Sequence, residues 1–226
     1  MGIFLQVIFL LLLSQAVQPI AKAAFSEYED DRKALLAFKA GLSDHSGTLS
    51  SWNQRNADFC RWEGVTCHNT SQPPRVSAVT LPSRGLTGTI SPVVGNLSFL
   101  QSLNLSSNQL GGEIPATIGF LHHLGYLNLG NNSLYGVIPD ELCNCSSLVY
   151  IRLDSNLITG SIPVNFGAMS KLESIFLYLN NLTGPIPPSF GNLSALRVVL
   201  STKTTLRAPY RRVSRGCATS RLSFSP

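Results

Sequence analysis

Charge is scarce in this chain: Asp, Glu, Lys and Arg make up 13% of its 226 residues. With 44% apolar residues as well, the composition excludes a solvated, disordered polymer. Acids vanish from the last thirty residues, which carry Arg197, Lys203, Arg207, Arg211, Arg212, Arg215 and Arg221. Residues 1–196 hold ten basic and twelve acidic residues, a net −2, so the overall +5 belongs to the tail. A block of like charge reads as solvated, and no nucleic-acid partner is expected. Histidine is limited to His45, His68, His122 and His123, with no metal-ligand spacing. No nucleophile–base arrangement stands out, and the glycine-rich loop and catalytic-loop motifs of a kinase are missing. The chain is therefore expected to have no catalytic residue, no metal and no cofactor.

One apolar run exists, from Ile3 to Leu13, too short for a membrane span of about 20 residues. It lacks a preceding positive charge but is followed by Ala21, Lys22, Ala23 and Ala24. Small residues after a short apolar run are the layout of a cleaved secretory signal peptide, expected over 1–24. No other transmembrane segment is expected, which makes the mature chain extracellular. Seven Asn-X-Ser/Thr sequons agree, at Asn69, Asn96, Asn104, Asn131, Asn144, Asn181 and Asn192.

From Leu100 onward one unit recurs. Leu100, Leu124, Leu148, Leu172 and Leu196 stand at a constant step of 24 residues. The first copy runs Leu100, Leu103, Leu105, Asn108, Leu110, Gly112, Ile114, Pro115, and three more copies keep that spacing. A degenerate copy starts at Val76, with Arg84 in the Asn position and Ser91 in the Pro position. A fixed period of this length predicts leucine-rich repeats. Leu103 and Leu105 alternate with Ser102, Asn104 and Ser106, which predicts a short strand per copy. A single copy cannot bury its apolar face alone, so the copies must stack into a shared core. The Asn column (Asn108, Asn132, Asn156, Asn180) is expected to satisfy backbone groups at the turn leaving each strand. The Gly column (Gly112, Gly136, Gly160, Gly184) is expected where a Cβ would hinder the backbone.

Before the repeats, Ser26 and Glu29 form a capping box, and Leu35, Phe38 and Leu42 share a helical face. A helix over about 27–41 is predicted, covering the open end of the solenoid. Cys60 and Cys67 flank a short apolar loop, which in a secreted chain predicts a disulfide. Zinc needs about four ligands, and His68 brings the candidates to three. Cys145 falls in the column of Leu97, Leu121, Met169 and Leu193 and is expected to pack as an apolar residue. Cys143 falls in the column of Gly95, Gly119, Gly167 and Gly191; a Cys143–Cys145 bridge would be strained but stays open. Cys217 leaves the cysteine count odd.

The helix, the Leu49–Trp52 element and the Cys60-Arg-Trp62-Glu-Gly64-Val65-Thr-Cys67 segment together resemble the N-terminal cap of plant leucine-rich-repeat receptors. The Leu-x-Gly-x-Ile-Pro unit is similar to the plant-specific repeat subtype. The resemblance runs from about Glu29 to Leu200. It implies an α/β solenoid, a right-handed superhelix of plant-specific 24-residue repeats with an N-terminal helical cap. The expected division is a signal peptide over 1–24, a cap over 25–75, about five repeats and a partial sixth over 76–200, and an irregular basic tail over 201–226. The resemblance further implies a truncated, non-catalytic ectodomain of a receptor-like kinase or receptor-like protein, perceiving defence or developmental signals in the apoplast, where full-length members sit in the plasma membrane. Expected partners are a peptide or protein ligand, a co-receptor or a microbial protein. A secreted inhibitor of cell-wall-degrading enzymes, resembling the polygalacturonase inhibitors, is the alternative, and an inert truncated product the third reading.

Outward-facing strand positions are the surface a partner can touch. Tyr126, Tyr150, Arg152, Asp154, Phe176 and Tyr178 converge there on adjacent copies. Aromatics with an Arg are the residue types that dominate interface energy, so these six are the predicted ligand-binding residues.

Overall fold

The computed structural model describes residues 28–196 except Ala57 and 69–72, together with the backbone of 198–200. The expected signal peptide, Ser26 of the capping box, the sequon at Asn69, Cys217 and the basic tail all lie outside the described residues.

The described residues open with helix α1 over 28–40. Ala34, Leu35 and Phe38 recur at helical spacing and are buried, giving the helix one apolar face. That face packs on an aromatic cluster from the loops that follow. Trp52 and Trp62 stack at 5.7 Å, and Phe59 meets Trp62 edge-on at 6.3 Å. Trp52 also donates from Nε1 to the Glu63 carbonyl at 2.8 Å, so its one polar atom is satisfied inside the core. The Cys60–Cys67 disulfide closes this unit, with a Cα–Cα distance of 5.5 Å.

Among the described residues ten strands follow in order: β1 Leu42–Ser43, β2 Val65–His68, β3 Arg75–Thr80, β4 Thr87–Thr89, β5 Ser102–Asn104, β6 Gln109–Gly111, β7 Tyr126–Asn128, β8 Tyr150–Arg152, β9 Ser174–Phe176 and β10 Val198–Leu200. Seven of them form one sheet, ordered β10-β9-β8-β7-β5-β3-β2. The pairs from β3 to β10 are parallel and in register at the 24-residue step, so Ser102, Tyr126, Tyr150 and Ser174 lie side by side. β2 closes the end of this sheet antiparallel to β3. Cap and repeats therefore share one sheet, and its first edge is covered by a strand of the cap. A smaller sheet, β1-β4-β6, lies along another edge and again joins cap to repeats.

Each copy returns through a 3-10 turn on the far side: Pro92–Asn96, Ala116–Phe120, Asp140–Asn144, Val164–Ala168 and Pro188–Asn192. Between strands and turns, the leucine and isoleucine columns are buried almost completely, among them Leu103, Leu127, Ile151 and Ile175 at 0% exposure. The Asn column reaches further than the turn it leaves. Asn108 Oδ1 accepts from the Arg84 and Leu86 amides of the preceding copy, while Nδ2 donates to the carbonyls of Leu81 and Leu105. Asn132, Asn156 and Asn180 repeat this bridge between copies.

The 3-10 turns are stapled through glycine. A Cβ on Gly95, Gly119 or Gly167 would strike the backbone of Thr117, Glu141 or Ser189 in the following copy. Cys143 occupies that same step and carries a Cβ. Accordingly the Asp140–Asn144 and Val164–Ala168 turns approach each other less closely than the other neighbouring pairs do. Those two turns lie behind β7 and β8.

Candidate recognition surface

Strand alternation turns Tyr126, Tyr150, Arg152 and Phe176 outward from the sheet, and the 24-residue register brings them together. Tyr126 and Tyr150 are stacked nearly parallel, 7° apart at 4.6 Å, about one strand spacing. Phe176 continues the row, tilted 44° at 5.4 Å from Tyr150. The Arg152 guanidinium lies 5.8 Å from the centre of the Phe176 ring. Because the rings cover one another, the row offers mainly ring edges and hydroxyls to a partner.

Asp154 corrects the expectation from alternation. It is 2% exposed, so its carboxylate is not available to a partner. Arg152 lies over it, with Nε donating to Oδ1 at 2.6 Å, and Arg152 Nη2 also reaches the Tyr178 hydroxyl at 3.3 Å. The physical reason is Gly130, one copy earlier in the same column. A Cβ there would stand 3.0 Å from Asp154 Oδ1 and 3.3 Å from Arg152 Cγ, so the missing side chain makes the space the ion pair fills. Gly130 is the position shaping this surface that the sequence reading missed. Its signal was the one glycine in the column Ser106, Gly130, Asp154, Tyr178.

The ion pair sets the chemistry of the face. Asp154, by its hydrogen bond first and then its charge, holds Arg152 firmly protonated. Burial raises the Tyr150 phenol, with the neighbouring Tyr126 next, and burial together with the hydrogen bond to Asp154 raises Tyr178. Both hydroxyls stay neutral at physiological pH and can donate or accept. The surface is thus aromatic, hydroxyl-bearing and close to electrically neutral.

Beside the ring row is a notch of about 430 Å³ walled by Tyr126 and Tyr150. Gly125 and Ser147 leave it open between Gln101, His123 and Val149. His123 stacks on Phe99 at 5.4 Å, and Arg75 covers Phe99 at 4.5 Å. Among the described residues no group of His, Cys, Asp and Glu is placed to hold a metal ion. Cys143 and Cys145 are free thiols, so the strained bridge does not form. Cys145 is buried, as its column predicted, with Sγ 3.1 Å from the Ile118 carbonyl. Burial pushes Cys143 up to about 11 and Cys145 up to about 12, which leaves both unreactive thiols at neutral pH.

Among the described sequons, Asn96, Asn131, Asn144, Asn181 and Asn192 are exposed, while Asn104 is half-buried on the strand face. No helix among the described residues is long and apolar enough to cross a membrane.

Comparison with known proteins matches the same parts. The leucine rich repeat N-terminal domain profile covers residues 29–68, and leucine rich repeat profiles cover 98–158 and 171–193. The LRR receptor-like serine/threonine-protein kinase EFR of Arabidopsis thaliana is 47% identical over 88 residues, 38% of this chain and 8% of that protein. Two further Arabidopsis thaliana receptor kinases are matched over 9% and 7% of their own length, so the chain spans a small part of the curated relatives it matches. The crystal structure of the BIR2 ectodomain from Arabidopsis thaliana superposes with a TM-score of 0.70 at 35% identity, covering 83% of this chain and 98% of that one. The Arabidopsis receptor kinase HAESA, solved in complex with the peptide hormone IDA and the co-receptor SERK1, gives a TM-score of 0.72 at 35% identity, over 78% of this chain and 30% of that one.

Proposed function

Since this chain belongs to the leucine-rich-repeat ectodomains of plant receptor-like kinases, we propose that it is an extracellular, non-catalytic recognition module that docks a peptide or protein on its strand face. The observation that carries the reading is the Tyr126–Tyr150–Phe176 row, locked in place by the Arg152–Asp154–Tyr178 network. Rings held by stacking and by a buried carboxylate lose little side-chain freedom on binding, and interfaces draw most of their energy from such anchors. HAESA, of like fold, is described with a peptide hormone and a co-receptor, which supports the same class of partner for this chain. Secretion to the apoplast follows from the expected signal peptide and the sequons.

The test uses the secreted chain, panned against a displayed random-peptide library, with binders measured by calorimetry. Tyr150→Ala and Phe176→Ala should each weaken selected binders about tenfold or more while leaving the unfolding midpoint nearly unchanged. Binders indifferent to both substitutions would place docking elsewhere. Inhibition of a purified fungal polygalacturonase, insensitive to both substitutions, would favour the enzyme-inhibitor alternative.

A further inference from the structure

Asn104 stands apart from the other described sequons because it lies on the strand face itself. Its side chain is held at one end only. Oδ1 accepts from the Ser106 amide at 3.1 Å and from the Ser106 hydroxyl at 2.8 Å. Its Nδ2 donates to no protein atom among the described residues, and it is not sealed from solvent. Asn128, the register partner on β7, makes the same turn but uses both ends: Oδ1 accepts from the Gly130 amide, and Nδ2 donates to the Tyr126 hydroxyl at 3.3 Å. A substituent on Asn128 Nδ2 would break a bond, whereas one on Asn104 Nδ2 breaks none.

By strand register, the ring nearest that nitrogen is Tyr126, on the adjacent strand. Tyr150 covers one face of Tyr126. The other face looks toward β5, where the register partner is Ser102, and beyond it toward Ala78 on β3. Neither side chain is long enough to cover a ring. The Tyr126 hydroxyl reaches Asn128, so the ring extends along its strand to the level of Asn104.

We propose that Asn104 carries an N-linked glycan whose first N-acetylglucosamine packs its apolar face on the open side of Tyr126. In the transfer, a bond forms between Nδ2 and the sugar C1 of a lipid-linked oligosaccharide. The bond from C1 to the pyrophosphate oxygen breaks, the lipid pyrophosphate leaves with the electron pair, and one amide proton goes to solvent. No oxidation state changes. The transfer precedes folding, and the finished fold accepts the product without losing a hydrogen bond. The glycan then closes the β5 end of the ring row, so a docked partner extends from Tyr126 toward β10 and not toward the cap.

The inference rests on the extracellular reading above but on no particular ligand. It is tested on the full chain secreted from plant cells held at high-mannose glycans, by mass spectrometry of each sequon during digestion of the folded protein with endoglycosidase H. Asn104 should be occupied, and its release should be about fivefold slower than at exposed Asn131. Tyr126→Phe should keep the slow release, and Tyr126→Ala should bring it to the Asn131 rate. A bare Asn104 overturns the inference. So does release as fast as at Asn131 in the natural sequence, or slow release unchanged in Tyr126→Ala. These readings need no partner, so they fail separately from the peptide-docking proposal.

Discussion

Asn156 serves four backbone groups with one side chain. Oδ1 accepts from the Leu134 amide at 3.0 Å, and Nδ2 donates to the carbonyls of Leu129, Leu153 and Asp154 at 3.0–3.1 Å. It is 6% exposed, so water cannot replace these partners. Asn156→Ala should therefore cost about 2–4 kcal/mol in urea unfolding, since each buried polar group left unpaired costs roughly 1–3 kcal/mol. Lys171→Ala, on an exposed side chain, should stay within about 0.5 kcal/mol of the parent protein. A small effect at Asn156 would show that the bridge between copies is dispensable. The Asn column was legible in the sequence because its step equals one strand of the sheet. Asp154 was not, because alternation fixes the direction of a Cβ and not where a carboxylate goes when Gly130 vacates the space beside it.

At the scale of elements, the cap is joined to the first repeat by a buried ion pair. Arg75 on β3 donates from Nε and Nη2 to the two carboxylate oxygens of Asp31 on α1, both at 2.9 Å. Asp31 also accepts from the Val76 amide at 2.9 Å. Both side chains are nearly sealed from solvent, at 5% and 1% exposure. Removing one partner strands the other charge in the core. Asp31→Ala should thus destabilise by about 3–5 kcal/mol, read by chemical unfolding, and Asp31→Leu with Arg75→Met should recover a large part of that loss. Equal losses in the single and double variants would argue against a coupled pair. The sequence showed the cap helix and the disulfide through helical spacing and a short cysteine loop. It hid this link, because residues 44 apart in the chain obey no local spacing rule. It also hid the β1-β4-β6 sheet, whose strands of two or three residues are too short for a period to show.

For the whole molecule, charge and shape divide between different surfaces. The ring row contains one cation, already matched by a buried carboxylate, so a partner docked there meets little net field. Affinity of a selected peptide should change by no more than about threefold between about 0.05 and 0.5 M salt, measured by calorimetry. A steep salt dependence would mean that docking uses the charged cap or another face. The solenoid that presents this row is also uneven in its construction. Glycine lets most neighbouring 3-10 turns touch, but Cys143 holds one pair apart directly behind Tyr126 and Tyr150. In an arch, a wedge on the outer rim moves the bend to that joint and leaves it with the least bracing. The two most nearly parallel rings sit on the strand side of that joint, so any bending there would change the gap between them first.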